Sequence, residues 1–125
     1  MEQDKQVSFC IIESPETREI LFLERVKKPH EWSLPGGKFD DSETPYRAMT
    51  REVFEETGLM ILPNTAQYLG VVRLKDDKVG HVFHIWAKEF KPVLAEGEHK
   101  KFVWVKDWKK LKLAGKVKKM LKLMK

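Results

Sequence analysis

The sequence predicts an α+β domain in which a mixed sheet lies between two helices. Three observations carry that expectation. Apolar, β-rich runs of strand length fill most of the chain, one mid-chain helix is marked at both ends, and an amphipathic stripe closes the sequence.

In order, Val7–Glu13 and Glu19–Glu24 are two such runs, separated by the polar Pro-containing segment Ser14–Arg18, and they read as strands paired in a hairpin. Arg25 ends the second run, and Val26–Glu31 with Pro29 reads as a surface loop. Pro35-Gly36-Gly37 then marks a sharp backbone feature where main chain can approach a ligand closely. The helix follows. Thr44 is suited to its N-cap, Pro45 to its first position and Gly58 to a left-handed stop, with helix formers between. Tyr46, Met49, Val53 and Phe54 form its apolar side.

Beyond a Pro63-Asn64 turn, strands are expected at Ala66–Leu74, His81–Lys88 and Phe102–Val105, with a shorter one at Phe90–Leu94. Asp76, Asp77, Lys78 and Gly80 read as the turn between the first two. His81 and His84 are three apart in a strand and so face opposite sides of it, which makes no shared metal site. Asp107 is placed to cap a helix over Trp108–Leu113, and Gly115 to interrupt it before a final helix over Lys116–Lys125. Leu113, Val117, Met120, Leu121 and Met124 fall on one face of that last segment, with lysines opposite. Such a helix closes a core while its lysines keep it solvated; docking on nucleic acid or anionic lipid is the alternative.

The chemistry concentrates between Gly37 and Leu59. At about 3.6 residues per turn, Glu52 and Glu56 stack one turn apart with Glu55 beside them. Like charges so placed repel, and Arg51 relieves only part of that. Clustered carboxylate oxygens suit a hard divalent cation, which in such settings is shared between carboxylates and substrate phosphates.

These residues carry a family resemblance. Gly37, Glu43, Arg51, Glu52, Val53, Glu55, Glu56, Gly58 and Leu59 match every specified position of the Nudix box, G-x5-E-x7-R-E-U-x-E-E-x-G-U. The box covers about a fifth of the chain, and the whole resembles most the MutT-type nucleoside triphosphate pyrophosphohydrolases. The resemblance implies an α/β/α sandwich and hydrolysis of nucleoside diphosphates linked to another group, with Mg²⁺ or Mn²⁺ as cofactor. It implies metal ligation by Glu52, Glu55, Glu56 and the Gly36 carbonyl, a part for Glu52 in activating water, and a Glu43–Arg51 pair holding the loop against the helix. Glu98, six residues before Trp104, matches an acidic ligand or base of MutT-type enzymes, with Glu96 as its competitor. Arg25 and Lys38 resemble phosphate contacts, and Trp32, Phe83 and His81 are candidates to touch a base.

The expected reaction is conversion of a (d)NTP to (d)NMP and pyrophosphate. The alternatives are an RNA 5′-pyrophosphohydrolase, a dinucleoside polyphosphate or ADP-ribose hydrolase, and a non-catalytic nucleotide-binding domain. The asparagine that oxidised-guanine MutT enzymes place before the C-terminal helix has no counterpart, since Asn64 is the only asparagine.

Composition bounds the rest. At 125 residues the chain forms one domain, and 42% hydrophobic with 34% charged residues describes a globular protein rather than a disordered or membrane-spanning one. The polar N-terminus has no secretory pattern, and Cys10 sits in an apolar run as a core residue, so a cytoplasmic monomer or homodimer is expected. Residues 106–125 hold nine lysines and one aspartate; against +5 for the whole chain, this leaves residues 1–105 at −3. The basic pI therefore belongs to the C-terminal segment and not to the body that bears the acidic site.

Overall fold

The computed structural model describes residues 5–124, so the polar start at 1–4 and Lys125 lie outside the described residues. In chain order the elements are β1 (Gln6–Glu13), β2 (Ile20–Arg25), β3 (Trp32–Ser33), β4 (Gly36–Lys38), α1 (Pro45–Thr57), β5 (Gln67–Arg73), β6 (Val79–Trp86), β7 (His99–Val105) and α2 (Gly115–Leu121). The strands form one seven-stranded mixed sheet, with single 3₁₀ turns at Lys75–Asp77, Trp108–Lys110 and Lys122–Met124.

β1 is the spine. It pairs in parallel with β6 along its whole length, from Gln6↔Val79 to Glu13↔Trp86. Its other edge is divided: β4 takes Val7, Ser8 and Phe9, while β2 meets it only at Glu13↔Ile20. β2 instead pairs antiparallel with β7 from Ile20↔Val105 onward, and with β3 at its far end. The two N-terminal runs are therefore strands joined as the antiparallel hairpin expected, but their pairing is confined to the end beside the connection, at Glu13↔Ile20. The sheet splits where β4 displaces β2 from β1, and a cleft opens at that split.

Period-two alternation assigns β1's side chains to two cores. Val7, Phe9 and Ile11 pack with Val117 and Met120 of α2, whereas Cys10 and Ile12 pack with Met49 and Val53 of α1. Both faces are covered, so β1 is apolar almost throughout, as doubly buried strands are. Each large side chain so buried contributes about 1.5–3 kcal/mol. Burial also pushes the Cys10 thiol's pKa well above its ordinary value, leaving a core residue with little thiolate. His81 and His84 do face opposite sides: His84 is buried on Glu13 at 2.7 Å, and His81 bridges Tyr68 and Gln6.

Four expectations fail. Phe90–Leu94 is not a strand; Phe90 packs against Trp104 and its carbonyl accepts that indole N–H, so the segment docks through side chains instead of a ladder. The helix over Trp108–Leu113 shrinks to one 3₁₀ turn, with no side-chain cap from Asp107, because Leu113 extends to bridge β3 at Trp32. Gly115 opens the last helix rather than interrupting one, and α2 gives way to the 3₁₀ turn before Lys125. Phe54, expected on the apolar side of α1, is exposed.

Candidate active site

Local chemistry fixes α1 before any tertiary contact does. The Thr44 hydroxyl accepts the Arg47 N–H at 3.2 Å, Pro45 begins the helix, and Gly58 at φ 80° ends it by donating its N–H to the Phe54 carbonyl. The Ser8 hydroxyl donates to the Pro45 carbonyl at 2.8 Å, tying the helix start to β1.

From that helix the three glutamates diverge. Glu56 is buried, Glu52 is partly buried and Glu55 is exposed. Arg51 gathers them: its guanidinium grips Glu43 bidentately at 2.7 and 2.9 Å, and reaches Glu52 and Glu55 at 3.1 Å each. It also donates to the Lys38 carbonyl at 2.8 Å, which fastens β4 to the helix. The Arg51 contact holds the Glu43 carboxyl below the usual range, and in turn that pairing raises the pKa of Arg51. Glu43 thus does what the box motif implies for it.

Two glycines let the carboxylates reach the strand. The Gly36 N–H donates to Glu56 at 2.9 Å. A Cβ on Gly37 would lie 2.5 Å from the Glu52 carboxyl carbon, so this position must be bare for Glu52 to rest on β4. Burial first, then the neighbouring Glu52 and Glu98 charges, push Glu56 up to about 9, the Gly36 hydrogen bond opposing them. Desolvation likewise raises Glu52, partly offset by Arg51.

Both glutamates line a cleft of about 460 Å³ at the split in the sheet. Its far wall comes from the other half-sheet: Arg25 ends β2, and Gly97, Glu98 and His99 lead into β7. Lys38, Lys78 and Lys116 add positive charge. Glu56, Glu98 and His99 each offer one ligand atom within 4.8 Å of the others. The His99 Nδ1 is buried without a hydrogen-bond partner among the described residues, and burial, then Arg25, lower its pKa to about 4, so the imidazole is neutral and available as a donor. A buried carboxyl flanked by two others is stabilised as an anion only by added positive charge. A donor set of carboxylates with one imidazole fits a divalent cation.

Of the residues singled out by sequence, Arg25, Gly36, Gly37, Lys38, Glu52, Glu56 and Glu98 meet at this cleft. Glu55 and Glu96 do not line it; Glu55 is held outside by Arg51. Trp32, Phe83 and His81 also lie elsewhere, in the two cores and in the Tyr68–Gln6 bridge. Sequence reasoning missed His99, Lys78 and Lys116. Lys116 was grouped with outward-facing lysines, yet it is half-buried against the Phe9 ring at 4.7 Å.

A family model for the NUDIX domain matches residues 4–124. The chain belongs to the NUDIX family. Its relatives include an RNA pyrophosphohydrolase of Helicobacter pylori strain G27, 39% identical over 54 residues, 43% of this chain and 35% of the relative. Another is diphosphoinositol polyphosphate phosphohydrolase 2 of Mus musculus, 27% identical over 94 residues, 75% of this chain and 50% of the relative. The chain thus spans no more than about half the length of the curated relatives named here. A MutT NUDIX hydrolase from Burkholderia pseudomallei superposes with a TM-score of 0.78 at 27% identity, covering 96% of this chain and 98% of the other. The NUDIX domain of Shewanella oneidensis NrtR, solved with ADP ribose, shares the fold at TM-score 0.78 and 17% identity over 95% of this chain and 84% of that one. The α/β/α sandwich expected from the box is therefore the NUDIX fold.

Proposed function

We propose that this NUDIX domain hydrolyses a phosphoanhydride bond in nucleoside diphosphate-linked compounds, with Mg²⁺ or Mn²⁺ as cofactor and (d)NTPs as the simplest substrates. One observation carries the reading: Glu52, Glu56 and Glu98 line a single cleft, with Arg25, Lys38 and Lys116 around the same space. Carboxylates alone would repel a polyphosphate, and cations alone would bind it without cleaving it.

In this reading Glu52, Glu56 and Glu98 hold the cation, with Glu55 at the edge and the Gly36 carbonyl as a further oxygen donor. Held by these residues, a divalent cation would supply polarisation of the phosphoryl oxygens and a lowered pKa for a bound water. Arg25 and Lys38 bind and orient the phosphates. Glu52 accepts the proton of the attacking water, the new P–O bond forms, and the bridging oxygen departs with the other phosphate. Arg51 never touches substrate; it positions Glu52 from behind.

A second reading, attack on the 5′-triphosphate of an RNA, is favoured by Lys116 and Lys78 lining the cleft. The test is a substrate panel with Mg²⁺: each (d)NTP, ADP-ribose, dinucleoside polyphosphates and 5′-triphosphorylated RNA, with wild type and Glu52→Gln. Turnover of at least one (d)NTP, abolished by the substitution, is expected. Tight nucleotide binding with no turnover of any compound would overturn the enzymatic reading in favour of a ligand-binding domain.

A further inference from the structure

We propose that the cleft continues into a second, cationic compartment that binds an additional phosphate group of the substrate. Preferred substrates then carry at least one phosphate besides those of the anhydride that is cleaved. The inference rests on the phosphoanhydride reading above and names its substrate class.

A second cavity of about 480 Å³ lies beside the first, between the start of β1, the turn after β5 and the start of α2. Arg25, Lys78 and Lys116 line both cavities, so the two share a wall. Lys75 and Lys119 belong to the second alone. Five cations thus surround a space that, among the described residues, Asp76 is the only carboxylate to line. Among the described residues none of the five has a carboxylate within 4.0 Å, and Asp77, the next acid along, pairs with Lys5 instead.

Lys75 and Lys119 are exposed, but they converge with Arg25, Lys78 and Lys116 on one space, whereas the equally exposed Lys118 and Lys122 line neither cavity. Lys116 is half-buried, and burial followed by the nearby Arg25 and Lys78 lowers its affinity for a proton. Five like charges gathered around one space repel one another without a counter-charge, and a phosphate anion supplies one. A nucleobase fits less well, because no aromatic side chain lines the second cavity to stack on it. The carboxylates of the first cavity and the cations of the second therefore divide the substrate: anhydride and metal on one side, the added phosphate on the other.

That phosphate has two chemical sources, the internucleotide linkage of an RNA 5′ end or a ring phosphate of a small polyphosphorylated molecule. The experiment compares kcat/KM for ATP, ATP bearing a 3′-phosphate, the triphosphorylated dinucleotide pppApA and a diphosphorylated inositol polyphosphate. Each is tested on wild type and on the double variant Lys75→Gln/Lys119→Gln, both substitutions lying outside the catalytic cleft. Wild type should favour at least one multiply phosphorylated compound over ATP by about tenfold or more, the worth of one charge-assisted contact. The double variant should lose most of that preference while its ATP turnover stays the same. Preference for pppApA or for the inositol compound tells the sources apart. Equal handling of all four substrates, or an equal loss on ATP in the variant, overturns the compartment. If no compound is cleaved, the anhydride reading has failed, and calorimetry judges the compartment separately with adenosine 3′,5′-bisphosphate against AMP. Tighter binding of the bisphosphate that disappears in the double variant supports it; equal binding of the two nucleotides overturns it.

Discussion

Adjacent glycines in β4 should respond to the same substitution in opposite ways. At Gly36, where φ is +153°, an added Cβ would lie 2.2 Å from the Ser8 carbonyl oxygen and 2.7 Å from the Phe9 Cα. Those atoms are backbone of the central strand, in register with β4 through Phe9↔Gly36, and they cannot yield without opening the ladder. Strain of this kind costs about 1–3 kcal/mol, and the clash adds to it. At Gly37 the obstacle is instead the Glu52 carboxyl carbon, at 2.5 Å, the far end of a flexible side chain. Restoring a carbon–carbon contact of about 3.5–4.0 Å means moving that group by roughly 1–1.5 Å. The fold tolerates this, but misplacement of a reacting group by about 1 Å costs on the order of 10²-fold in rate. Thermal melts and kcat/KM on a nucleotide triphosphate should therefore separate the two variants. Gly36→Ala should lower Tm by several degrees, whereas Gly37→Ala should melt near wild type and lose about 10²-fold in turnover. A Gly37→Ala enzyme of normal activity, or one as unstable as Gly36→Ala, would refute the idea that this glycine exists to seat Glu52.

Three other outcomes follow from the same geometry. Glu52→Gln or Glu56→Gln should cut kcat by at least ~10³ with the fold retained, read by steady-state kinetics and circular dichroism; near-wild-type turnover would remove them from the metal site. Glu98→Gln should be clearly slower than Glu96→Gln at the same Mg²⁺ concentration, because only Glu98 lines the cleft; the reverse order would move the role two residues upstream. Stability should depend on pH through Glu56, whose pKa rises from 4.5 unfolded to about 9 folded. The stability it lends is full below the unfolded value and is lost as pH climbs through that window, by up to about 1.4 kcal/mol per unit. Melts in EDTA from pH 5 to 9 should show the decline, and Mg²⁺ should counter it at the alkaline end by binding the ionised carboxyl. A flat profile for wild type, or an unchanged slope in Glu56→Gln, would count against this assignment.

What the sequence revealed of this site depended on whether the information was local. The caps of α1, the one-turn spacing of Glu52 and Glu56 and the Glu43–Arg51 pair are set by helix geometry within some fifteen residues, so they could be read directly. For Glu55 the same local rule does not place the carboxylate. Spacing puts it beside the other two, and only the Arg51 fork, anchored also at Lys38, shows that it is drawn outward. The strands were legible from apolar runs, but only part of their pairing was. The short connection does make a hairpin at Glu13↔Ile20, yet β4, a three-residue strand too short to leave a pattern, takes β2's place along Val7–Phe9 of β1. The aromatic stretch Phe90–Leu94 had the composition of a strand without a partner ladder to join.

That displaced pairing also explains why the motif supplies only half of the site. With β4 inserted, the sheet consists of a β1–β4–β5–β6 half that carries α1 and a β2–β3–β7 half joined to it chiefly at Glu13↔Ile20. The box furnishes the acids on the first half. The second half brings Arg25 from β2 and Glu98 and His99 from the start of β7, held near one another by the irregular register at Arg25↔His99. α2 then closes over β1 and delivers Lys116 from more than fifty residues beyond the motif. Nothing in the spacing of the box constrains these residues, because they reach the cleft through pairings that only the assembled sheet creates. On the proposed reading the acidic half holds the cation, while the choice of substrate rests on side chains whose positions are set by the split.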